Sequence, residues 1–312
     1  MSFEKPKIAI SIGDLSGIGP QIAVLSHDKI KEICDPIYCI NQKMLEQVCK
    51  KLQLQTPNNM TFFETKGDFE IEFCKPNKNS GRFSFHSFVD AIKLTVAQTT
   101  EAVVTLPINK ESWKKANILY KGHTEVLRDY FKNDAIMMLG CPKMFVGLFT
   151  EHIPLKKVAK SITTKKLKNF LVDFYNEVKI ENIAVLGLNP HAGENGVLGD
   201  EEIKITKAIK KANEILGKKV FLGPLVPDTV FAPHMRERYQ YFVAMYHDQG
   251  LTPLKALYFD ESINVSLNLP IVRTSVDHGT AYDIAYKKDI QINTQSYINA
   301  VIEAIRLAKN KN

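Results

Sequence analysis

The sequence predicts an α/β protein with a largely parallel sheet, arranged as two lobes. Apolar, β-branched runs alternate with helix-patterned segments along the chain, which is the signature of strands joined by helical crossovers. The length of 312 residues lies at the upper limit for one hydrophobic core. A content of 45% hydrophobic and 24% charged residues is that of an ordinary globular chain.

In order along the chain, KIAISI reads as the first strand, QIAVLSHDKIKEI as a helix, PIYCIN as the second strand and KMLEQVCKKLQL as a second helix. The polar, turn-rich segment TFFETKGDFEIEFCKPNKNSGRFS predicts a short strand or two with an exposed connection. FSFHSFVDAIKLTVAQTT is an amphipathic helix feeding the strand AVVTLP. LKKVAKSITTKKLKNF continues as helix, and NFLVDFYNEVKI feeds ENIAVLGLNP in the same way. The terminal SYINAVIEAIRLAKNKN has apolar positions three and four apart and lysines that suit the negative end of a helix.

Composition also excludes function classes. No apolar stretch approaches the roughly 20 residues needed to span a bilayer, and MSFEKPKIAIS lacks an apolar core of signal-peptide length, so a cytoplasmic protein with no membrane role is expected. The five cysteines are an odd number without a CxxC pair, which predicts reduced thiols and neither disulfides nor a cysteine zinc site. The net charge of +7 is spread through helices with no basic block interleaved with aromatics, so no nucleic-acid partner is expected. Such a face also attracts anionic metabolites.

SIGDLSGIGPQIA, after the first strand, begins like a dinucleotide-binding loop. That fingerprint needs GxGxxG and an acidic residue ending the second strand. Here Gly17 and Gly19 are followed by Ile22, and the second strand ends at Asn41. The loop reads instead as a tight strand-to-helix turn lining a site, with Asp14 and Ser16 able to bond local backbone and Asp14 a candidate to face the site.

Histidine placement says more. His152 in FTEHIPL, His191 in GLNPHAGENG and His247 in AMYHDQGLTP each follow an apolar, strand-like run, at the strand ends where α/β sheets bind ligands. Three imidazoles from such loops suit a catalytic divalent metal with open positions for substrate oxygens. Taken singly, each also fits a hydrogen-bonded loop histidine.

In KGHTEVL, His123 and Thr124 open a helix whose N-terminus suits a phosphate, although Thr124 equally fits a plain cap. Lys255, Asn264, Arg273, Asp277 and His278 are threaded through apolar segments near the end of the chain. Lys and Arg so placed suit a carboxylate or phosphate.

GDLSGIGP, PINKES, GHTE, NPHAGENG, YHDQGLTPLK and LPIVRTSVDHGTAYDIA, in this order over nearly the whole chain, closely resemble the PdxA family of 4-hydroxythreonine-4-phosphate dehydrogenases in vitamin B6 biosynthesis. The resemblance implies the isocitrate/isopropylmalate dehydrogenase-like fold, two α/β lobes with a cleft between them, and a homodimer with shared active sites. This fold binds NAD without a GxGxxG loop. The lobes are expected at residues 1–125 with 281–312, and at 126–280, the latter carrying metal ligands and dimer contacts. By resemblance the metal ligands are His152, His191 and His247, the last reaching the partner's site. Substrate contacts are His123, Thr124, Lys255, Asn264 and Arg273.

Asp277, His278 and Gly279 match the adenine-side loop for NAD, or NADP. The metal implied is zinc, with magnesium or cobalt as alternatives. The implied reaction oxidises 4-phosphooxy-L-threonine to 2-amino-3-oxo-4-(phosphooxy)butanoate, which decarboxylates to 3-amino-2-oxopropyl phosphate. Lys255 is expected to hold the carboxylate or to donate a proton, and Asp248 is a candidate base by its adjacency to His247. Tyr286, Lys287 and Lys288 stand where the family carries a glycine-bearing sequence, and Leu15 and Ser16 where it has Pro and Ala. Two alternatives are a dehydrogenase of another phosphorylated hydroxy acid, such as a four-carbon sugar acid phosphate, and a metal-dependent phosphohydrolase.

Overall fold

The first strands are buried on both faces, which requires helices above and below them. The computed structural model describes residues 4–311. The chain begins with β1 (Lys7–Ser11), α1 (Gly19–Ile33), β2 (Asp35–Cys39), α2 (Gln42–Leu52), β3 (Thr61–Phe63), α3 (Lys78–Val96), β4 (Ala102–Thr105), α4 (Lys110–Lys115) and α5 (His123–Phe131). It continues with β5 (Ile136–Cys141), β6 (Met144–Leu148), α6 (Val158–Ser161), α7 (Thr164–Val178), β7 (Ile183–Leu186), α8 (Glu201–Leu216), β8 (Phe221–Leu225), α9 (Pro233–Arg238), β9 (Tyr241–Ala244), α10 (His247–Tyr258) and β10 (Ile263–Leu267). It ends with β11 (Val272–Val276) and α11 (Gln295–Lys311).

Contacts divide the chain into two units, one reaching Asp134 and resuming at Leu269–Asn310, the other Ala135–Asn268. The boundaries therefore fall later and earlier than the 125/126 and 280/281 read from the sequence. The reason is pairing: β11 lies parallel to β4 with Arg273 opposite Val103, so the segment before residue 281 belongs to the first unit.

The strands of the first unit run in the order β3-β2-β1-β4-β11, all parallel. Helix α3 packs on β1 and β4 through an apolar stripe that includes Phe83, Phe88 and Ile92, all buried. Helix α11 buries Tyr297, Ala300, Val301, Ala304 and Leu307, the three- and four-residue spacing expected of it. Thr274 Oγ1 of β11 donates to the Ala300 carbonyl of α11 at 2.7 Å. The turn-rich stretch holds one strand, β3, and closes where Asn77 caps α3 by accepting from Ser80 N at 2.8 Å.

In the second unit the order is β10-β5-β6-β9-β7-β8. Strands β6, β9, β7 and β8 are parallel, while β5 runs antiparallel to both β6 and β10. The β5–β6 turn is only Pro142–Lys143, with Cys141 paired to Met144. The helix expected over 155–170 is broken: a 3₁₀ turn at Leu155–Lys157 and the short α6 precede Thr163, whose hydroxyl accepts from Lys166 N and starts α7 anew. A core of Met137, Val146, Leu186, Phe242 and Leu254 holds these strands and α10 together.

Cys34, Cys39, Cys49 and Cys141 are buried and Cys74 is exposed, all as free thiols. Among the described residues no helix is long and apolar enough to cross a membrane.

Candidate active site

The loop after β1 is closed by its own hydrogen bonds. Asp14 N donates to the Pro107 carbonyl, Ser16 N to Asp14 Oδ1, Gly17 N to the Asp14 carbonyl and Ile18 N to the Thr280 carbonyl, all at 2.8–3.0 Å. A phosphate cradle needs such N–H groups free, so the glycines serve a different purpose. At Gly13, with φ +75°, a Cβ would stand 2.4 Å from the Pro107 oxygen, and at Gly17 one would stand 2.8 Å from Thr280. Both are sites of close backbone approach.

Asp14 is fully buried. It accepts from Ser80 Oγ at 2.5 Å and from Tyr282 Oη at 3.1 Å, and burial raises its carboxyl above the ordinary range. It therefore ties the loop to α3 and to the DHGTAYDIA segment and does not face a site.

Tyr286 completes this clamp. It holds φ 59° and is buried, its hydroxyl donates to the Leu15 carbonyl at 2.8 Å, and its backbone N–H donates to Gln21 Oε1 at 2.9 Å. The ring meets Phe73 edge-on at 4.6 Å. A tyrosine thus stands at a left-handed position, compensated by two hydrogen bonds and ring packing. Asp277 N donates to Ser296 Oγ at 3.3 Å, and His278 Nδ1 lies 3.1 Å from the Gly279 carbonyl. These three residues lie directly after β11, at the carboxyl end of the parallel strands.

His123 and Arg273 come together in the first unit. The His123 ring is half-buried at the start of α5, edge-on to Phe88 at 4.6 Å and to Trp113 at 5.8 Å, while its Nε2 is enclosed without a hydrogen-bond partner. Burial, then the Arg273 charge, holds the imidazole well below its usual 6.5. The Arg273 guanidinium is buried and pushed down to about 9, still charged at neutral pH. It donates from Nε at 3.2 Å and Nη2 at 2.7 Å to Thr105 Oγ1 at the end of β4. A neutral imidazole, a buried cation and a helix N-terminus are groups whose chemistry suits an anion. Thr124 is next in α5 and half-buried.

The low His123 value has a consequence for stability. A base whose pKa falls on folding contributes stability that is complete above its unfolded value and is lost as pH falls toward the folded one. Between pH 7 and pH 5, H123N is expected to lose less unfolding free energy than the unmodified chain in paired urea titrations. Equal losses would mean that the ring is not held neutral.

In the second unit the three histidines follow β6, β7 and β9, and these strands lie side by side in the order β6-β9-β7. Thr150 Oγ1 donates to the Met245 carbonyl at 2.6 Å, tying the β6 loop to the β9 loop. Gln249 bridges the other pair: its Nε2 donates to the Gly187 carbonyl at 2.7 Å and its Oε1 accepts from Met245 N at 2.7 Å. The His152 and His247 rings stand 5.4 Å apart. His247 Nδ1 is 2.6 Å from Asp248 Oδ1. A carboxylate only accepts, so this contact selects the tautomer with its proton on Nδ1, which directs Nε2 toward a ligand.

Asp248 is engaged in this way as the partner of His247. His191 sits on an exposed turn, and among the described residues no three His, Cys, Asp or Glu side chains stand close enough to hold a metal ion. One chain thus brings two of the three imidazoles together, including His247, which the resemblance assigned to a partner's site. The chemistry of the pair, with one ring oriented by a carboxylate, fits a divalent ion.

Lys255 lies eight residues beyond His247 on α10, about 12 Å along the helix axis, with Nζ 5.3 Å over the Phe259 ring. Asn264 lies on β10 opposite Leu139. Thr105, Thr150 and Gln249 escaped sequence reading. The only signal was their position at or just past a strand end.

A family model described as "Pyridoxal phosphate biosynthetic protein PdxA" matches residues 32–304. The 4-hydroxythreonine-4-phosphate dehydrogenase of Sulfurimonas denitrificans is 59% identical over 307 residues, covering 98% of this chain and 99% of that protein. That of Campylobacter fetus subsp. fetus is 56% identical over 303 residues, covering 97% and 98%. The solved structure of a putative 4-hydroxythreonine-4-phosphate dehydrogenase from Salmonella typhimurium superposes with a TM-score of 0.81 at 30% identity, covering 97% of this chain and 100% of that one. The chain belongs to the PdxA family.

Proposed function

We propose that this chain is a nicotinamide-dependent dehydrogenase that oxidises 4-phosphooxy-L-threonine at C3, in pyridoxal phosphate biosynthesis. The relatives matched over nearly the whole chain carry that activity in their names. The single structural observation behind the reading is the set of three histidine loops at the carboxyl ends of the adjacent parallel strands β6, β9 and β7.

His152, His191 and His247 would hold a divalent ion, zinc in first place. A homodimer with shared sites supplies the donor that one chain leaves apart. When bound, the ion supplies a Lewis acid at the C3 hydroxyl and the nicotinamide a two-electron acceptor. Arg273 binds the substrate phosphate as a fixed cation, with His123 Nε2 and the Thr124 hydroxyl completing the anion set. His123 stays neutral there and so adds a hydrogen bond without a second buried charge. Asp248 holds the His247 ring through Nδ1. The Lys255 ammonium pairs with the substrate carboxylate and returns a proton to C2 after CO₂ leaves, yielding 3-amino-2-oxopropyl phosphate. Asn264 takes a polar substrate group. Asp277, His278 and Gly279 receive the adenine side of NAD, and the loop after β1 supports them through Thr280 and Tyr282. The free thiols fit a reducing, cytoplasmic location.

The test is absorbance of reduced nicotinamide with chelator-treated protein, 4-phosphooxy-L-threonine and NAD or NADP, before and after adding Zn²⁺, Mg²⁺ or Co²⁺. Metal-dependent reduction is expected. Turnover only with a four-carbon sugar acid phosphate would move the substrate assignment. Phosphate release without nicotinamide would replace the dehydrogenase reading with a phosphohydrolase.

A further inference from the structure

The turn that carries His191 is strained along its whole length. His191, Ala192, Gly193, Glu194 and Asn195 hold φ values of 53°, 50°, 76°, 43° and 57°, five consecutive residues in the left-handed region. Four of them are not glycine, and L side chains enter this region only at a cost in backbone energy. Strain of this kind persists only where surrounding contacts over-determine it.

Backbone bonds from Ala192 N to the Asn189 carbonyl and from Leu198 N to the Gly193 carbonyl, both at 3.1 Å, close the turn, and one buried side chain anchors the residues that lead into it. Glu202, in the first turn of α8, is 7% exposed. Its Oε1 accepts from Leu188 N at 2.8 Å and from Asn189 N at 2.7 Å, and its Oε2 accepts from Asn189 Nδ2 at 2.8 Å. The carboxylate therefore fixes the two residues that lead into the turn. It also lies beneath the turn: a Cβ on Gly193 would stand 2.6 Å from Glu202 Oε2. The neighbouring Glu201 is in the same helical turn and reaches Asn189 through its side-chain Nδ2, at 2.9 Å.

We propose that Glu202 is a positioning residue whose buried carboxylate templates the left-handed turn 191–195 and thereby aims the His191 imidazole at a divalent ion. The inference rests on the reading of His191 as a metal ligand. A carboxylate offers only acceptors to three converging N–H groups. A glutamine in its place must turn an NH₂ toward at least one of them, so the isosteric change opposes the turn without altering packing volume.

The test is Zn²⁺ affinity, measured by competition with a chelating dye on chelator-stripped, full-length protein, beside circular dichroism melts. E202Q is expected to weaken Zn²⁺ binding by about 10- to 100-fold, the range seen when an outer support of a ligand is lost, and H191A, which removes the ligand itself, by at least as much. E201Q removes the same negative charge from the helix N-terminus and is expected to stay within about threefold, which separates positioning from helix stabilisation. E202D, which keeps two acceptors on a shorter arm, should recover part of the loss.

Unchanged affinity in E202Q with a loss in H191A would overturn the positioning role and leave the metal reading standing. Unchanged affinity in H191A would overturn the metal reading of that residue itself. If E202Q fails to fold, E202D decides: a folded variant with full affinity overturns the proposal, and one of intermediate affinity upholds it.

Discussion

Mixing H191A with H247A is expected to restore turnover that neither variant has alone. Each single variant should lose on the order of 10³-fold in kcat/KM, about 4 kcal/mol of transition-state stabilisation. With sites shared across a twofold dimer, random mixing makes half of the dimers heterodimeric, and each of these keeps one intact site, so about a quarter of full activity should return. The expectation holds for either division of labour. His152 and His247 of one chain stand together, with rings 5.4 Å apart, while the family resemblance assigns His247 to the partner's site. In both cases His191 and His247 act from different subunits at any one site.

The mixture of H152A with H247A then decides between the two. No recovery means that His152 and His247 act from one chain, and recovery means that His247 crosses. Failure of the H191A and H247A mixture, with both variants folded and dimeric, would end the shared-site reading.

The parts of the fold that were legible are those whose burial leaves a one-dimensional trace. β1, β4, β7 and β9 are near-continuous apolar runs because helices cover both faces of a parallel sheet, and α11 shows its buried stripe at helical spacing. The β5–β6 hairpin was not legible, since Pro142–Lys143 carries no Gly or Asn turn signal and the strands on either side are as apolar as parallel ones. The break before α7 turns on a single hydroxyl, that of Thr163.

The candidate site divides along the same line. The three histidines could be picked out because each follows a strand, but the left-handed turn under His191 could not, since Ala192 and Glu194 do not announce positive φ. The turn is imposed by Glu202 from another element, a contact that sequence spacing does not encode. The glycines of the first loop begin like a phosphate cradle, but the failed GxGxxG spacing already pointed to a tight turn. The tertiary partners that engage its N–H groups, Pro107 and Thr280, lie far along the chain and leave no trace in the loop's own sequence.

R273K is expected to raise KM for 4-phosphooxy-L-threonine by about 100- to 1000-fold, a loss of about 3–4 kcal/mol. The guanidinium is buried and held by two donations to Thr105 Oγ1, which fixes its plane and aims the rest of the group. Lysine keeps the charge but not the planar fork, and its shorter reach cannot meet both the Thr105 hydroxyl and a phosphate oxygen. T105V, which removes only the acceptor, should cost about tenfold by freeing the orientation of the guanidinium, and the double variant should cost little more than R273K alone, because both act through one group.

Substrate lacking the phosphate separates this role from a general packing effect. With 4-hydroxythreonine the unmodified chain and R273K should be equally poor, since the contact that distinguishes them is gone. If R273K instead lowers kcat on both substrates and leaves KM for the phosphorylated one unchanged, the buried cation acts on the reacting end of the substrate, and the phosphate must be sought at His123 and Thr124 alone.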